Sequence, residues 1–328
     1  MSELGSLGRV MDGGFMRELL EREVLGRREN EVVLRCEVRK LRSSLRKTIV
    51  QYVVHFRDRS TRRYIGVHRE SDERLDRALS ILKLLRSKGF DEGSDLRVPK
   101  PVGYFPRLSL LLMEPAEGRL IRELFEQRVP NLGKYLEQVA RWLAKLHGSY
   151  VNFGKLCSLQ DQIAASLRYK APLPLLFPDL TLQVESISSR IVKMQRTFPN
   201  QEVRPIHGDF HPTNVFASKK SVTAIDFDMS CMGDPAFDLG YFVAQAKMSY
   251  GLESEIREAT QRFLLRYLQE VGGNGDLGRR QKIYEAQTYF QRIYHTYWIL
   301  KLNPRPDIVS TWLTESESCI KSIGDLPA

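Results

Sequence analysis

The period of the apolar residues changes along the chain, and that change limits the fold more than any other feature. From Val32 to about Arg69 the sequence runs VVLRCEV, TIVQYVVHF and RRYIGVHR. β-Branched and aromatic residues alternate there with polar ones, broken by charged or Ser-rich turns, which predicts an antiparallel meander. SDERLDRALSILKLLRSKGF then places Leu75, Leu79, Leu82 and Leu85 at helical spacing. Ser71 is its candidate N-cap, Asp72 and Glu73 fall where the helix dipole favours negative charge, and Gly89 makes a stop. VPKPVGYFPRLSLLLMEPAEGR reads as a further strand pair ending in a Pro/Gly break. From about Leu120 the period is helical: NLGKYLEQVARWLAKLHGSY puts Leu136, Val139, Ala140, Leu143 and Leu146 on one face. ESEIREATQRFLLRYLQEV and RRQKIYEAQTYFQRIYHTYWILKL follow the same pattern, and two short apolar strands, NVFAS and VTAIDFD, interrupt it.

The order of elements predicts an α+β, bilobal chain. An antiparallel sheet plus helix occupies residues 1–115, a hinge lies near Glu114 to Gly118, and a mostly helical lobe over 116–328 carries one embedded hairpin. Two cores suit 328 residues, because single cores stop growing near ~250–300. No apolar run approaches the ~18 residues of a membrane span, and the N-terminus lacks a signal-peptide layout. Cys36, Cys157, Cys231 and Cys319 have no paired spacing, which fits reduced thiols and a cytoplasmic setting.

The net charge of +10 is unevenly placed: residues 1–115 hold 24 Lys+Arg against 17 Asp+Glu, and the rest 26 against 23. The excess is densest in RKLRSSLRK, Arg39 to Lys47, and RDRSTRRYIGVHR, Arg57 to Arg69. Both are turns between strands, either solvated tips or a rim that attracts phosphate. No nucleic-acid partner is expected.

The densest chemistry lies in RPIHGDFHPTNVFASKKSVTAIDFDMS, Arg204 to Ser230. Asp209, then Asn214 five residues on, then Asp226 at the end of the next strand suit phosphoryl transfer. Asp209 could accept the proton of an attacking hydroxyl, while the Asn214 amide oxygen and the Asp226 carboxylate hold Mg²⁺ against phosphates. A zinc cage is less attractive, since Gly208 and Pro212 disfavour a helix that would bring His207 and His211 together, and no cysteine or third histidine is near in sequence.

HGDFHPTN, AIDFD and GDPAFDLG, in this order, closely resemble the aminoglycoside phosphotransferase and choline kinase-like family, small-molecule kinases with the protein-kinase fold. VPKPVGYFPRLSLLLMEPAEGRLIREL is similar to that family's hinge, and VARWLAKLHG to the helix after it. The resemblance runs from about Arg63 to Gly240. It implies transfer of the ATP γ-phosphoryl group to a hydroxyl of a small molecule, with ATP and Mg²⁺ as cofactors. It makes Asp209 the catalytic base, Asn214 and Asp226 the metal ligands, and Asp228 a further candidate for metal or substrate. His207 would brace the catalytic loop and Asp238 tie it down, with His211 as support or turn residue. Pro115 has no N–H, so adenine would use the Glu114 carbonyl and the Ala116 N–H.

The amino-terminal lobe departs from the family pattern. A strand lysine and a helix glutamate should hold the α/β-phosphates, yet Val67 and Ala78 align with them. A shift of one or two residues would offer His68 or Arg69, with Glu73 or Asp76 as partner. The first hairpin turn holds no glycine, so Ser43 and Ser44 with Arg42, Arg46 or Lys47 would have to meet the phosphates. A pseudokinase or nucleotide-binding regulator therefore stands as the alternative. The acceptor is open among amino sugars, aminoglycosides, amino alcohols and sugars. Tyr284, Tyr289, Phe290, Tyr294, Tyr297 and Trp298 could cage a cation or pack as core, and Glu253, Glu255, Glu258 and Glu285 are the acids available to a polycation.

Overall fold

The structure, a computed structural model, describes residues 5–25, 32–44, 47–69, 73–200, 202–272 and 275–325. The chain forms two compact units, one of Met1–Glu117 with Thr223–Asp228 and the other of Gly118–Val222 with Met229–Ala328.

In the first unit, helices α1 (Ser6–Val10) and α2 (Gly13–Leu20) precede strands β1 (Val33–Ser43), β2 (Lys47–Phe56) and β3 (Thr61–Arg69). Helix α3 (Glu73–Ser87) and strands β4 (Leu96–Arg97), β5 (Pro101–Phe105) and β6 (Leu110–Met113) follow. A sheet of order β1-β2-β3-β6-β5 is antiparallel throughout. Alternation decides its two faces. Thr48, Val50, Tyr52, Val54 and Phe56 of β2 are buried, whereas Lys47, Ile49, Gln51 and Val53 are half-buried on the other side. Val50, Tyr52, Val54 and Phe56 share a core with Val10 of α1 and Met16, Leu19 and Leu20 of α2, and the Tyr52 hydroxyl donates to the Val10 carbonyl at 3.0 Å. These two helices were not expected: the glycines of GSLGRVMDGGFMREL break the apolar period. Gly13 has a use, because a Cβ there would strike the Cys36 carbonyl where α2 lies against β1.

Helix α3 buries Leu75, Ala78, Ile81, Leu82 and Leu85, with Leu79 half-buried. The expected cap residues Ser71 and Asp72 lie outside the described residues.

The second unit begins with β7 (Arg119–Leu120) and helices α4 (Ile121–Glu126), α5 (Leu132–His147), α6 (Leu159–Lys170), α7 (Leu173–Leu176) and α8 (Thr181–Thr197). The short strands β8 (Arg204–Ile206), β9 (Val215–Ala217), β10 (Val222–Ala224, its last two residues counted with the first unit) and β11 (Cys231–Gly233) come next, then α9 (Pro235–Tyr250), α10 (Ser254–Val271), α11 (Gly275–Ile293) and α12 (Pro306–Lys321). All five apolar residues of the expected α5 face are fully buried. Strand β9 turns through Ser218 to Ser221, where the Ser218 N–H donates to the Ser221 carbonyl at 2.8 Å. Strand β8 pairs antiparallel with β11.

Gly240 lets two backbones touch, since a Cβ would collide with α11 at Gln281, Tyr284 and Glu285. All four cysteines are free. Among the described residues no helix is long and apolar enough to cross a membrane.

Candidate active site

In the second unit the loop after β8 is fastened at its start. Gly208 has φ of 76°, and a Cβ there would strike the Met229 carbonyl. Asp238, fully buried in the first turn of α9, accepts the His207 N–H at 2.7 Å and the Gly208 N–H at 2.9 Å. Its Oδ2 also bonds His147 Nε2 at 3.1 Å, and His147 Nδ1 bonds the Tyr267 hydroxyl at 2.7 Å. The Ser230 hydroxyl donates to the His207 carbonyl at 3.1 Å. Phe210 stacks on Trp142 with centroids 5.6 Å apart. A loop whose amides are held by a buried carboxylate presents its next side chain in one orientation.

That side chain is Asp209. Its Oδ1 accepts the Tyr241 hydroxyl at 2.9 Å. Asn214 Nδ2 bonds the Asp209 carbonyl at 3.0 Å and Oδ2 at 3.3 Å, and His211 Nε2 lies 3.6 Å from Oδ2. Burial would raise the Asp209 carboxyl, but the hydrogen bond and charge of His211, with His207 and the Tyr241 hydroxyl, outweigh it and hold it at about 2. Burial and the Asp209 charge push the Tyr241 phenol well up, so it stays a donor. His211 also serves its own turn, with Nδ1 3.3 Å from the Thr213 nitrogen and 2.9 Å from its hydroxyl. Because Asn214 directs its N–H₂ at Asp209, its amide oxygen faces away and can bind a cation.

In the first unit, Lys47 Nζ lies 2.6 Å from Asp226 Oδ2 and 3.4 Å from Asp228 Oδ2, and Arg69 pairs with Asp228. Asp226 takes the left-handed conformation, φ 69°, which aspartate tolerates better than most residues. His68 points to the opposite face of β3, is buried, and bonds the Ser6 hydroxyl at 3.2 Å. Val67 shares the Lys47 face but is apolar, and Ala78 belongs to the buried face of α3. Among the described residues, the basic groups paired with Asp226 and Asp228 are thus Lys47 and Arg69.

Ser43 and Ser44 are occupied by the turn: the Ser43 hydroxyl is 3.0 Å from that of Thr48, and the Ser44 hydroxyl and N–H reach the Lys47 carbonyl at 3.2 and 2.9 Å. Arg42 is exposed, while Arg46 and the side chain of Glu73 lie outside the described residues. At the expected hinge the Glu114 N–H donates to the Lys100 carbonyl at 2.9 Å, and its carboxylate pairs with Lys100 at 3.0 Å.

The sequence model of the phosphotransferase enzyme family matches residues 45–282. The chain belongs to that family. No curated protein sequence matches it. Among solved structures, an aminoglycoside phosphotransferase bound to ADP is similar at 16% identity and a TM-score of 0.58, covering 87% of this chain and 94% of that one. A choline kinase from Cryptosporidium parvum is similar at 14% identity and 0.59, covering 95% and 96%. An amicoumacin kinase in complex with AMP-PNP and Ca²⁺ is similar at 14% and 0.62, covering 94% and 92%. At these identities the likeness is one of fold, a kinase-like one.

In this phosphotransferase the aromatic residues of α11 and the π-helical turn after it are mainly core. Tyr284, Tyr289, Phe290 and Tyr297 are buried, and only Trp298 of the buried-or-exposed extremes is exposed, at 45%. The glutamates do not converge: Glu253 and Glu255 both pair with Arg128, and Glu285 is buried against Lys247 and Lys282. A cavity of about 180 Å³ lined by Cys157, Asp234, Arg280 and Tyr284 lies elsewhere in the second unit, and neither Asp209 nor Asn214 lines it.

The metal question turns on donor chemistry. Among the described residues no group of three or more His, Cys, Asp or Glu could hold an ion, so a self-contained cage does not form. Asn214 in the second unit and Asp226 in the first each carry a hard oxygen of the type that Mg²⁺, an ion that keeps water and substrate phosphates as ligands, takes.

Proposed function

We propose that this phosphotransferase is a small-molecule kinase that moves the γ-phosphoryl group of ATP to an alcohol. The observation that carries the reading is Asp209, hydrogen-bonded at both carboxylate oxygens on a loop anchored by Asp238. The adenine nucleotides of two related structures, ADP and AMP-PNP, support ATP as donor. The acceptor oxygen bonds to the γ-phosphorus as the bond to the β–γ bridging oxygen breaks, ADP leaves, and the acceptor proton passes to Asp209. No covalent intermediate on the protein is required. A carboxyl held at about 2 is a weak base at neutral pH. Asp209 therefore orients the hydroxyl first and takes its proton late, as the oxygen acidifies during transfer.

Asn214 and Asp226 would hold Mg²⁺, with Asp228 as a further ligand; when bound, the ion neutralises phosphate charge. The Glu114 carbonyl and the Ala116 N–H would receive the adenine edge. The acceptor is a small hydroxylated molecule, open among amino sugars, aminoglycosides, amino alcohols and sugars; Glu253 and Glu255 pair with Arg128 and Glu285 with Lys247, so these acids are not gathered for a polycation.

The test is ATP/Mg²⁺ binding and turnover across a panel of sugars, amino alcohols and antibiotics, comparing wild type with Asp209→Asn. The variant should bind ATP normally and lose about 10²–10⁴-fold in kcat. No ATP binding by wild type at millimolar concentration would sink the kinase reading, and binding without turnover, unchanged by the substitution, would favour a nucleotide-binding regulator.

A further inference from the structure

The first unit carries two cations where the sequence has neither a glycine-rich loop nor the usual strand lysine. Lys47 opens β2, Arg69 closes β3, and the two are direct partners in the antiparallel register, so they leave the same face of the sheet. Like charges directly opposite each other repel. The arrangement is tenable when anions lie against both, and here Asp226 and Asp228 supply them.

Those aspartates do not use all that the cations offer. Arg69 is only 7% exposed, yet its buried Nε has no hydrogen-bond partner among the described residues. A charged donor left unmade in the interior is costly. The side chains of Lys47 and Asp226 are 20% and 28% exposed, so a solute can reach them. The same face continues away from the pair through Ile49 opposite Val67, and Ile65 opposite Met113, all half-buried. Two apolar rungs, the further about 13 Å from the pair at strand spacing, lead to the two cations. A flat apolar base with a polyanionic tail has that shape.

We propose that Lys47 and Arg69 together form the clamp for the α- and β-phosphates of the donor nucleotide, replacing the single lysine held by a helix glutamate. The proposal rests on the kinase reading above. It accounts for the apolar Ala78, since two cations balanced by two aspartates need no helix glutamate. It also divides the work: the guanidinium of Arg69 presents a fixed fork to paired phosphate oxygens, and Lys47 adds a compact charge that can follow them. Phosphate drawing these cations toward itself would release carboxylate oxygens of Asp226 and Asp228.

Calorimetry of the full chain with ATP and, separately, with adenosine tests this. Lys47→Met and Arg69→Met should each weaken ATP about 10–100-fold, as expected for lost hydrogen bonds to a charged group. Adenosine affinity should stay within about twofold, and Arg69→Lys should recover only part of the loss because it lacks the fork. Unchanged ATP affinity in both methionine variants, with circular dichroism like wild type, overturns the clamp. So does a parallel loss of ATP and adenosine, which means the pairs only shape the sheet. Should Arg69→Met fail to fold, Lys47→Met decides alone. Wild type binding neither ligand at millimolar concentration would instead bring down the kinase reading, whereas normal binding untouched by either substitution leaves that reading standing without the clamp.

Discussion

Lys247 and Lys282 close on Glu285 in the second unit at 2.6 and 3.0 Å, and Gln281 adds a bond at 2.8 Å; in the first unit Lys47 and Arg69 close on Asp226 and Asp228. Both are carboxylate–cation clusters, but they differ in how far they are satisfied. Glu285 is fully buried, and although burial would raise its carboxyl, Lys282 and Lys247 hold it at about 2. The first-unit cluster is partly wet and leaves the Arg69 Nε unmatched. A cluster built on a carboxylate with no exposed surface holds helices together. One whose carboxylate is wet, and whose guanidinium keeps an unbonded Nε among the described residues, can exchange its anions for those of a ligand.

The largest effect that would break this contrast is on stability. Glu285→Gln leaves Lys247, buried at 8% exposure, with the longer pair to Glu315 at 3.9 Å in place of its close one, and removing one partner of a buried pair costs about 3–5 kcal/mol. The denaturation midpoint should fall accordingly while ATP affinity of the folded fraction is kept. Lys47→Met, with a wetter pair, should cost about 1 kcal/mol or less in the same measurement. Equal losses for the two variants would erase the distinction.

Acid sharpens it further. The Glu285 carboxyl is depressed in the folded chain from 4.5 to about 2, so the stability it contributes is present above pH 4.5 and is lost as pH falls from there through 2. Wild type should therefore show a steep decline in unfolding free energy over that window. Glu285→Gln should show a shallower one, and identical slopes would mean that Glu285 does not hold its charge in the native core.

The sequence carried much of the second unit because its signals are local. HGDFHPTN and GDPAFDLG are contiguous, and the face of α5 follows from helical period alone. The partners of Asp209 and Asp238 were missed where they come from distant helices: Tyr241 reads as one more core position beyond DLG, and His147 as the last turn of α5. In the first unit the obstacle was register. Val67, His68 and Arg69 alternate between faces, and a slip of one residue exchanges them, so nothing in RRYIGVHR says which faces the aspartates until β3 is paired with β2. Lys47 lies 179 residues from Asp226, in a turn whose basic composition fits a solvated tip equally well. Ser43 and Ser44 were the natural choice for phosphate by residue type, and their hydroxyls also bond within the hairpin, to Thr48 and to the Lys47 carbonyl.

The smallest effect concerns a carboxylate outside both clusters. Asp209 is partly exposed, at 31% of its side chain, yet hydrogen-bonded at both oxygens. The Tyr241 hydroxyl is one of those donors, and its ring is fixed by stacking on Phe237, centroids 5.8 Å apart. Tyr241→Phe keeps the stack and removes the hydroxyl. Water can reach a carboxylate this exposed and replace part of the bond, so the loss should be about 1 kcal/mol, roughly fivefold in kcat. Because the hydroxyl touches Asp209 and nothing assigned to the nucleotide, KM for ATP should hold. A fall in stability with kcat unchanged would make Tyr241 a packing residue, whereas the expected split between kcat and KM makes it the group that aims the carboxylate.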